Sequence, residues 1–426
     1  MKSFFCLAAA LICCSQLWAQ ENVYPAPAQE KAVYLTNAVI HTGNGQVIEN
    51  GTLAFAQGKI TAVGNVTVPA GDVTVMDMKG QHIYPGIIAP ETSLGLTEVA
   101  SVRATNDVRE VGELNPSVRS IVSYNTDSKV INTLRSNGIL LAGVTPEGGL
   151  LSGTSSIVQL DAWNWEDAAY KTDNAQHFYM PSLLPAGSNA AAGSNRLKAA
   201  MERIEQVRSF FREAKAYLQE DQHANTNLKF EALRPLFNKE QKLFVHCNLV
   251  KELLLAIDFA REFNIGVVIV GGTDAWRIAD QLQQNNIAVV LAQPHSLPMI
   301  QDDDVAQPYK TAAQLQQAGV LFCLSNEGFW QQRNLMFEAG TAAAYGMTKE
   351  EALRAVTLNA AKILGIDKTT GSLETGKDAN IVVSTGDIMD MKSSIITHAF
   401  IQGRTINLDN KQHQLYERYK YKYGLK

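Results

Sequence analysis

Apolar residues follow two different rhythms along this chain. Between Ala32 and Met78 they fall at near-alternate positions, as at Val33, Leu35, Ala38 and Ile40, with turn chemistry at Gly43-Asn44-Gly45 and Gln57-Gly58-Lys59. Alternation broken by turns predicts short strands, here a small β-sandwich. From Ile83 the apolar runs become continuous, as expected of parallel strands covered on both faces. Strands are predicted at Ile83–Ala89, Ile139–Pro146, Ser155–Leu160, His177–Met180, Lys242–Asn248, Ile265–Gly272, Ile287–Gln293 and Val320–Asn326. Helical periodicity lies between them at Asn189–Glu220, Glu252–Phe263, Asp274–Gln284 and Thr311–Ala318, and then continues to Leu364. Eight strand–helix units over roughly 250–300 residues predict an α/β fold of (β/α)8 TIM type across 83–370. Short-strand patterning returns over Gly371–Leu408. The two chain ends, 20–82 and 371–411, are therefore expected to build one β-sandwich around the inserted barrel. The tail, 412–426, sets Tyr416, Tyr419, Tyr421 and Tyr423 among basic residues and reads as a solvated helix or arm.

The first residues do not belong to this pattern. Lys2 precedes an apolar run from Phe4 to Cys14, and Leu17-Trp18-Ala19 has the form of a cleavage site. The run is too short to span a bilayer, so 1–19 reads as a signal peptide and the protein as exported, periplasmic or extracellular. No other stretch is apolar and long enough to span a membrane. With 46% hydrophobic and 19% charged residues, the chain has the composition of a soluble globular protein. A net charge of −5 gives no basic surface for nucleic acid. Of the five cysteines, three fall in the leader. Cys247 and Cys323 read as buried small hydrophobes on separate strands, with a single bridge between them left open.

Polar residues gather at the predicted C-terminal ends of the barrel strands, where a barrel of this kind carries its chemistry. These are Glu91 and Ser93 after the first strand, Glu147 after the second, His246 on the fifth and Thr273-Asp274 after the sixth. His295 follows the seventh strand and Asn326-Glu327 the eighth. No lysine or glutamate stands out on the fourth. Glu91 and His246 suit proton transfer or ligation, whereas the Asn326 amide cannot act as a base.

The segment from Gln293 through Pro308-Tyr309 to Ala318-Gly319-Val320 resembles a secreted, imidazolonepropionase-like subgroup of the amidohydrolases, and four stretches resemble the superfamily at large. They are Pro85-Gly86-Ile87-Ile88, Gly138–Gly143, Thr348–Gly365 and Gly371–Val383. The first matches a family strand that reads Pro-Gly-hydrophobic-hydrophobic-Asp-x-His-x-His. Here Ala89 stands at the aspartate, and Glu91 and Ser93 stand at the two histidines. The resemblance implies a hydrolase of carbon–nitrogen bonds other than peptide bonds, in cyclic amides or related small molecules. It also implies metal ligands at five strand ends, where a metal lowers the pKa of a bound water. His246 fits the fifth-strand ligand, Gly271-Gly272-Thr273 replaces the sixth-strand histidine, and Asn326 replaces the eighth-strand aspartate. Such a metal-poor set implies one divalent ion, zinc or similar, on His246 and Glu91, or none. Glu91, His246, Asn326 and Glu327 are the expected catalytic positions, and Ser93, Glu147, Thr273, Asp274 and His295 the expected pocket. A small molecule is the expected partner, with a homo-oligomer or a paralogous amidohydrolase subunit as the expected assembly. The alternative reading is a catalytically inactive binding protein or partner subunit on the same scaffold.

Overall fold

The computed structural model describes residues 24–184, 190–220, 222–223 and 225–425. The stretch read as a signal peptide, 1–19, therefore lies outside the described residues. Two eight-stranded sheets organise the rest. In the smaller sheet, β1 (Val33–His41), β2 (Val47–Ala56), β3 (Lys59–Gly64), β4 (Thr74–Asp77) and β5 (His82–Pro85) come from the N-terminal side. The C-terminal side supplies β14 (Ile381–Ser384), β15 (Ile396–Ile401) and β16 (Arg404–Thr405). The join is the antiparallel pairing of β5 with β14, so both ends build one sheet. Its apolar side chains, among them Leu35, Phe55, Ile83, Ile381 and Phe400, share a single core.

The second sheet runs in the order β13-β12-β11-β10-β9-β8-β7-β6. Its strands are β6 (Ile87–Thr92), β7 (Ile139–Val144), β8 (Leu151–Gln159), β9 (Ala169–Tyr179) and β10 (Lys242–Cys247), then β11 (Val267–Gly271), β12 (Ala288–Leu291) and β13 (Phe322–Leu324). The Pro85-Gly86 pair is where the chain leaves one sheet for the other. A Cβ on Gly86 would meet Leu140 Cδ1 at 2.7 Å, so glycine permits that close crossing. Inward-facing Ile88, Leu141, Ile157, Phe244, Val268, Val290 and Cys323 fill the barrel. Cys247 and Cys323 are both buried and unbridged.

The barrel's eight strands are those expected, but not all eight are strand–helix units. β8 pairs antiparallel with both β7 and β9. The reason is local: β7 and β8 are joined by six residues, with Gly148 and Gly149 at φ +88° and +68°. A parallel crossover needs a dozen or more residues, so this connection folds back as a hairpin. β9 is also much longer than the short strand expected at His177–Met180. Among the described residues no ladder joins β13 to β6. Ile88 N–H donates instead to Val356 O at 3.0 Å, and Gln332 Nε2 donates to Glu91 O at 2.8 Å.

Helices cover the outside. Those used below are α1 (Lys129–Ser136), α2 (Ala190–Tyr217), α3 (Val250–Phe263), α4 (Gln307–Gln317), α5 (Leu335–Ala344), α6 (Lys349–Ala355), α7 (Leu358–Leu364) and α8 (Lys411–Tyr423). α6 begins with a capping box in which Thr348 and Glu351 satisfy each other's backbone N–H groups. α7 places Ala360, Ile363 and Leu364 against the barrel-lining side chains and so floors the barrel. The tail is helical, as α8, and buries none of its residues. No helix among the described residues is long and apolar enough to cross a membrane.

Candidate functional site

The site starts from a fault in the first barrel strand. The register of β6 against β7 slips between Ala89 and Thr92. Pro90 has no N–H to give the ladder, so pairing fails there and the strand bulges. Gly143 of β7 accepts the bulge: a Cβ at that position would lie 2.3 Å from Pro90 O. The bulge brings Glu91 to the barrel mouth. We expect Gly143→Ala to lower the unfolding free energy by about 2 kcal/mol, because backbone and not a mobile side chain must give way. Urea denaturation checks this, and a loss below about 0.5 kcal/mol would show that Pro90 is free to retreat.

The mouth holds a cavity of about 200 Å³, lined in part by Glu91, His246, Asn248, Ser325, Asn326 and Glu327. Burial, reinforced by the nearby carboxylates of Glu147 and Glu327, pushes the Glu91 carboxyl up to about 7. Burial also raises Glu147, but the Ser93 hydroxyl bonds its carboxylate and, with Arg109, opposes the rise. On the facing side, His246 of β10 meets His177 of β9, with His246 Nε2 2.9 Å from His177 Nδ1. The Tyr179 ring stacks on His246 at 3.8 Å between centroids and 13° between planes. Burial pulls His246 down to about 3 and His177 well below its usual range. Both rings are therefore neutral at ordinary pH and share a single N–H between them. His177 Nε2 is buried with no partner.

This donor set does not fit a metal ion. Among the described residues no three His, Cys, Asp or Glu side chains are grouped as ligands. The Nε2 of His246 is turned to His177 and is not free to ligate. Gly271 at φ +101° stands at the end of β11 with no side chain to offer. The ion expected on His246 and Glu91 thus finds no third His, Cys, Asp or Glu grouped with them among the described residues, whereas a catalytic zinc site takes three protein ligands.

Of the nine expected positions, Glu91, His246, Asn326 and Glu327 come together around the cavity. Ser93 and Glu147 pair with each other near Glu91, outside the cavity lining. Thr273 is one step removed, its hydroxyl donating to Asn248 Oδ1 at 2.9 Å. Asp274 faces the wrong way for a pocket residue: its Oδ2 accepts the Val250 N–H at the start of α3. His295 also lies outside the cavity lining, bonded through Nε2 to Thr341 Oγ1 of α5 at 2.5 Å. Its backbone N–H donates to Glu338 Oε2 at 2.9 Å.

Three important residues are absent from the expected set. His177 was hidden in the fourth strand, where the family pattern calls for a lysine or glutamate. Tyr179 follows it by one strand repeat. Glu338 lies on α5, is 2% exposed, and accepts from Asn326 Nδ2 at 3.1 Å. Burial pushes Glu338 up to about 7. The Asn326 amide also donates to Gln331 O at 3.1 Å, which fixes it in place.

A barrel with a polar, part-buried mouth and a second sheet drawn from both chain ends is the architecture that the resemblance implies. Comparison with known proteins agrees. The model of the amidohydrolase family matches residues 244–406. An imidazolonepropionase of Flavobacterium psychrophilum is 33% identical over 112 residues, which are 24% of this chain and 27% of that protein. The crystal structure of an amidohydrolase from Thermotoga maritima superposes with a TM-score of 0.77 at 24% identity, covering 88% of this chain and 99% of that one. A zinc-bound adenosine deaminase from Xanthomonas campestris superposes with a TM-score of 0.52 at 14% identity, covering 93% and 99%. The chain thus resembles the amidohydrolase family over 244–406 and shares its fold with the solved amidohydrolase from Thermotoga maritima. The matched stretches span between 20% and 38% of the length of the curated relatives.

Proposed function

We propose that the protein hydrolyses a carbon–nitrogen bond, other than a peptide bond, in a cyclic amide or a related small molecule. The observation that carries this reading is a carboxyl, Glu91, held near neutrality at the edge of a mouth cavity. A group that titrates near the working pH is able both to take and to return a proton. In this reading ionised Glu91 takes a proton from water as the water oxygen attacks the substrate carbon. The C–N bond then breaks, and the proton passes to the leaving nitrogen. Neutral His246, braced by His177 and Tyr179, orients the substrate with its remaining ring nitrogen. The cavity of about 200 Å³ is smaller than the roughly 300–1,000 Å³ usual for drug-sized ligands, which supports a small substrate. The reading also takes residues 1–19 as an export signal, and a homo-oligomer or a paralogous subunit as the assembly.

A second reading, a non-catalytic binding protein or partner subunit, is favoured by one feature. The position of the family's proton-accepting aspartate is the Asn326 amide, tied to Gln331 O and Glu338. A panel of cyclic amides, amidines and dipeptide-like compounds separates the two. Turnover that survives dialysis against a chelator supports the hydrolase. Thermal stabilisation by a compound that is never consumed supports the binding protein.

A further inference from the structure

On the outer flank of the barrel, between α1 and the turn from β8 to β9, lies a second cavity of about 240 Å³. It shares no lining residue with the mouth. Its inner wall is built on a buried ion pair, Arg135 with Asp161, whose side chains are 4% and 1% exposed. Asp161 is fully committed. Its Oδ1 accepts from Arg135 Nη1 at 2.5 Å, and its Oδ2 accepts from Arg404 Nη1 and from the Ala26 N–H, both at 2.9 Å. Two guanidinium groups thus share one carboxylate, which leaves one positive charge unbalanced in the interior. Asp127, the other acid on the lining, is exposed to solvent and compensates weakly.

Two donors on the same wall are unspent. Arg135 Nε and the Tyr124 hydroxyl are buried and have no hydrogen-bond partner. Tyr124 is 6% exposed and packs across Gly95, where a Cβ would meet its ring at 2.5 Å. Arg135 and Tyr124 both line this cavity. A buried donor without an acceptor is costly, and native interiors seldom leave two on one wall. At the rim stand Tyr24 and Trp163, 74% and 64% exposed, with ring centroids 5.9 Å apart. Exposed aromatic rings at a cavity mouth suit a flat ligand.

We propose that this flank cavity binds a small carboxylate carried on a flat ring, with the anion accepting from Arg135 Nε and the Tyr124 hydroxyl and the ring lying against Tyr24 and Trp163. The surplus charge selects the anion, and the two donors fix its oxygens. The site is separate from the mouth and does not depend on the chemistry assigned there.

Benzoate is the probe, titrated into the full chain and followed by tryptophan fluorescence, with Trp163→Phe identifying the reporter. The expected result is a saturable change with a dissociation constant of about 1 mM or tighter. Tyr124→Phe keeps the ring and removes one donor, and is expected to weaken benzoate about tenfold. Benzamide, of similar shape but uncharged, is expected to bind at least about tenfold more weakly. Glu91→Gln, at the mouth, is expected to leave benzoate affinity unchanged. The proposal is overturned by no saturable signal up to about 20 mM. Equal affinity for benzoate and benzamide, or an affinity that responds to Glu91→Gln and not to Tyr124→Phe, overturns it as well.

Discussion

Glu91→Gln is expected to lower kcat by at least about a hundredfold while leaving the protein folded and more stable at alkaline pH. The amide keeps the shape of the carboxyl and cannot accept a proton from water, so the loss falls on kcat more than on KM. The stability gain follows from the same environment. Glu91 titrates near 7 in the folded protein, above its ordinary 4.5. Its proton is held more tightly in the folded state, so its contribution to stability is complete below about 4.5 and lost as pH rises through 7. Above that pH the buried carboxylate costs at most about 3 kcal/mol. Gln escapes that cost, so the variant should unfold at a higher temperature than the parent at pH 8 and at the same temperature at pH 4. Wild-type kcat/KM should rise tenfold per pH unit up to about 7 and then level. A variant that loses activity and stability together would show Glu91 to be a packing residue.

Asp161→Ala is expected to be the most destabilising single change outside the barrel core. Asp161 binds together the lead-in at Ala26, α1 through Arg135, the end of β8 and the smaller sheet through Arg404. Its removal leaves two guanidinium groups facing each other in a buried place with no counter-charge. Breaking a buried pair from one side typically costs about 3–5 kcal/mol. Asp161→Asn keeps the shape and one of the two acceptor oxygens, with an N–H donor in place of the other, and should lose less than the alanine variant. Urea midpoints of the two variants against the parent check the order. Equal losses would mean that the charge, and not the shape, holds this junction.

The sequence carried the scaffold further than the site. The change from alternating to continuous apolar runs at Ile83 marks the passage from one sheet to the other, and the Pro85-Gly86 pair is the physical joint. Run length alone does not distinguish a hairpin from a crossover, so β8 reads the same in either direction. The signal that separates them is the six-residue link containing Gly148-Gly149, too short for a helix. Glu91 and His246 were legible because they follow apolar runs at the expected strand ends. His177 was not, since a histidine inside a long antiparallel-paired strand has no motif around it. Glu338 was invisible for a different reason: it reaches Asn326 from α5, twelve positions along the chain, and no local pattern encodes that approach. Asp274 misled because it also follows a strand, but its carboxylate is claimed by the first turn of α3. Cys247 and Cys323 are separate thiols held in the apolar interior.

The account stands on one carboxyl at the barrel mouth that gives up its proton near neutral pH. Carbon NMR of protein labelled at the glutamate carboxyls, titrated from about pH 4 to 9, reads this directly, with Glu91→Gln identifying the resonance. The predicted result is one carboxyl with a midpoint near 7 that disappears in the variant. A Glu91 resonance that titrates near 4.5 would contradict it.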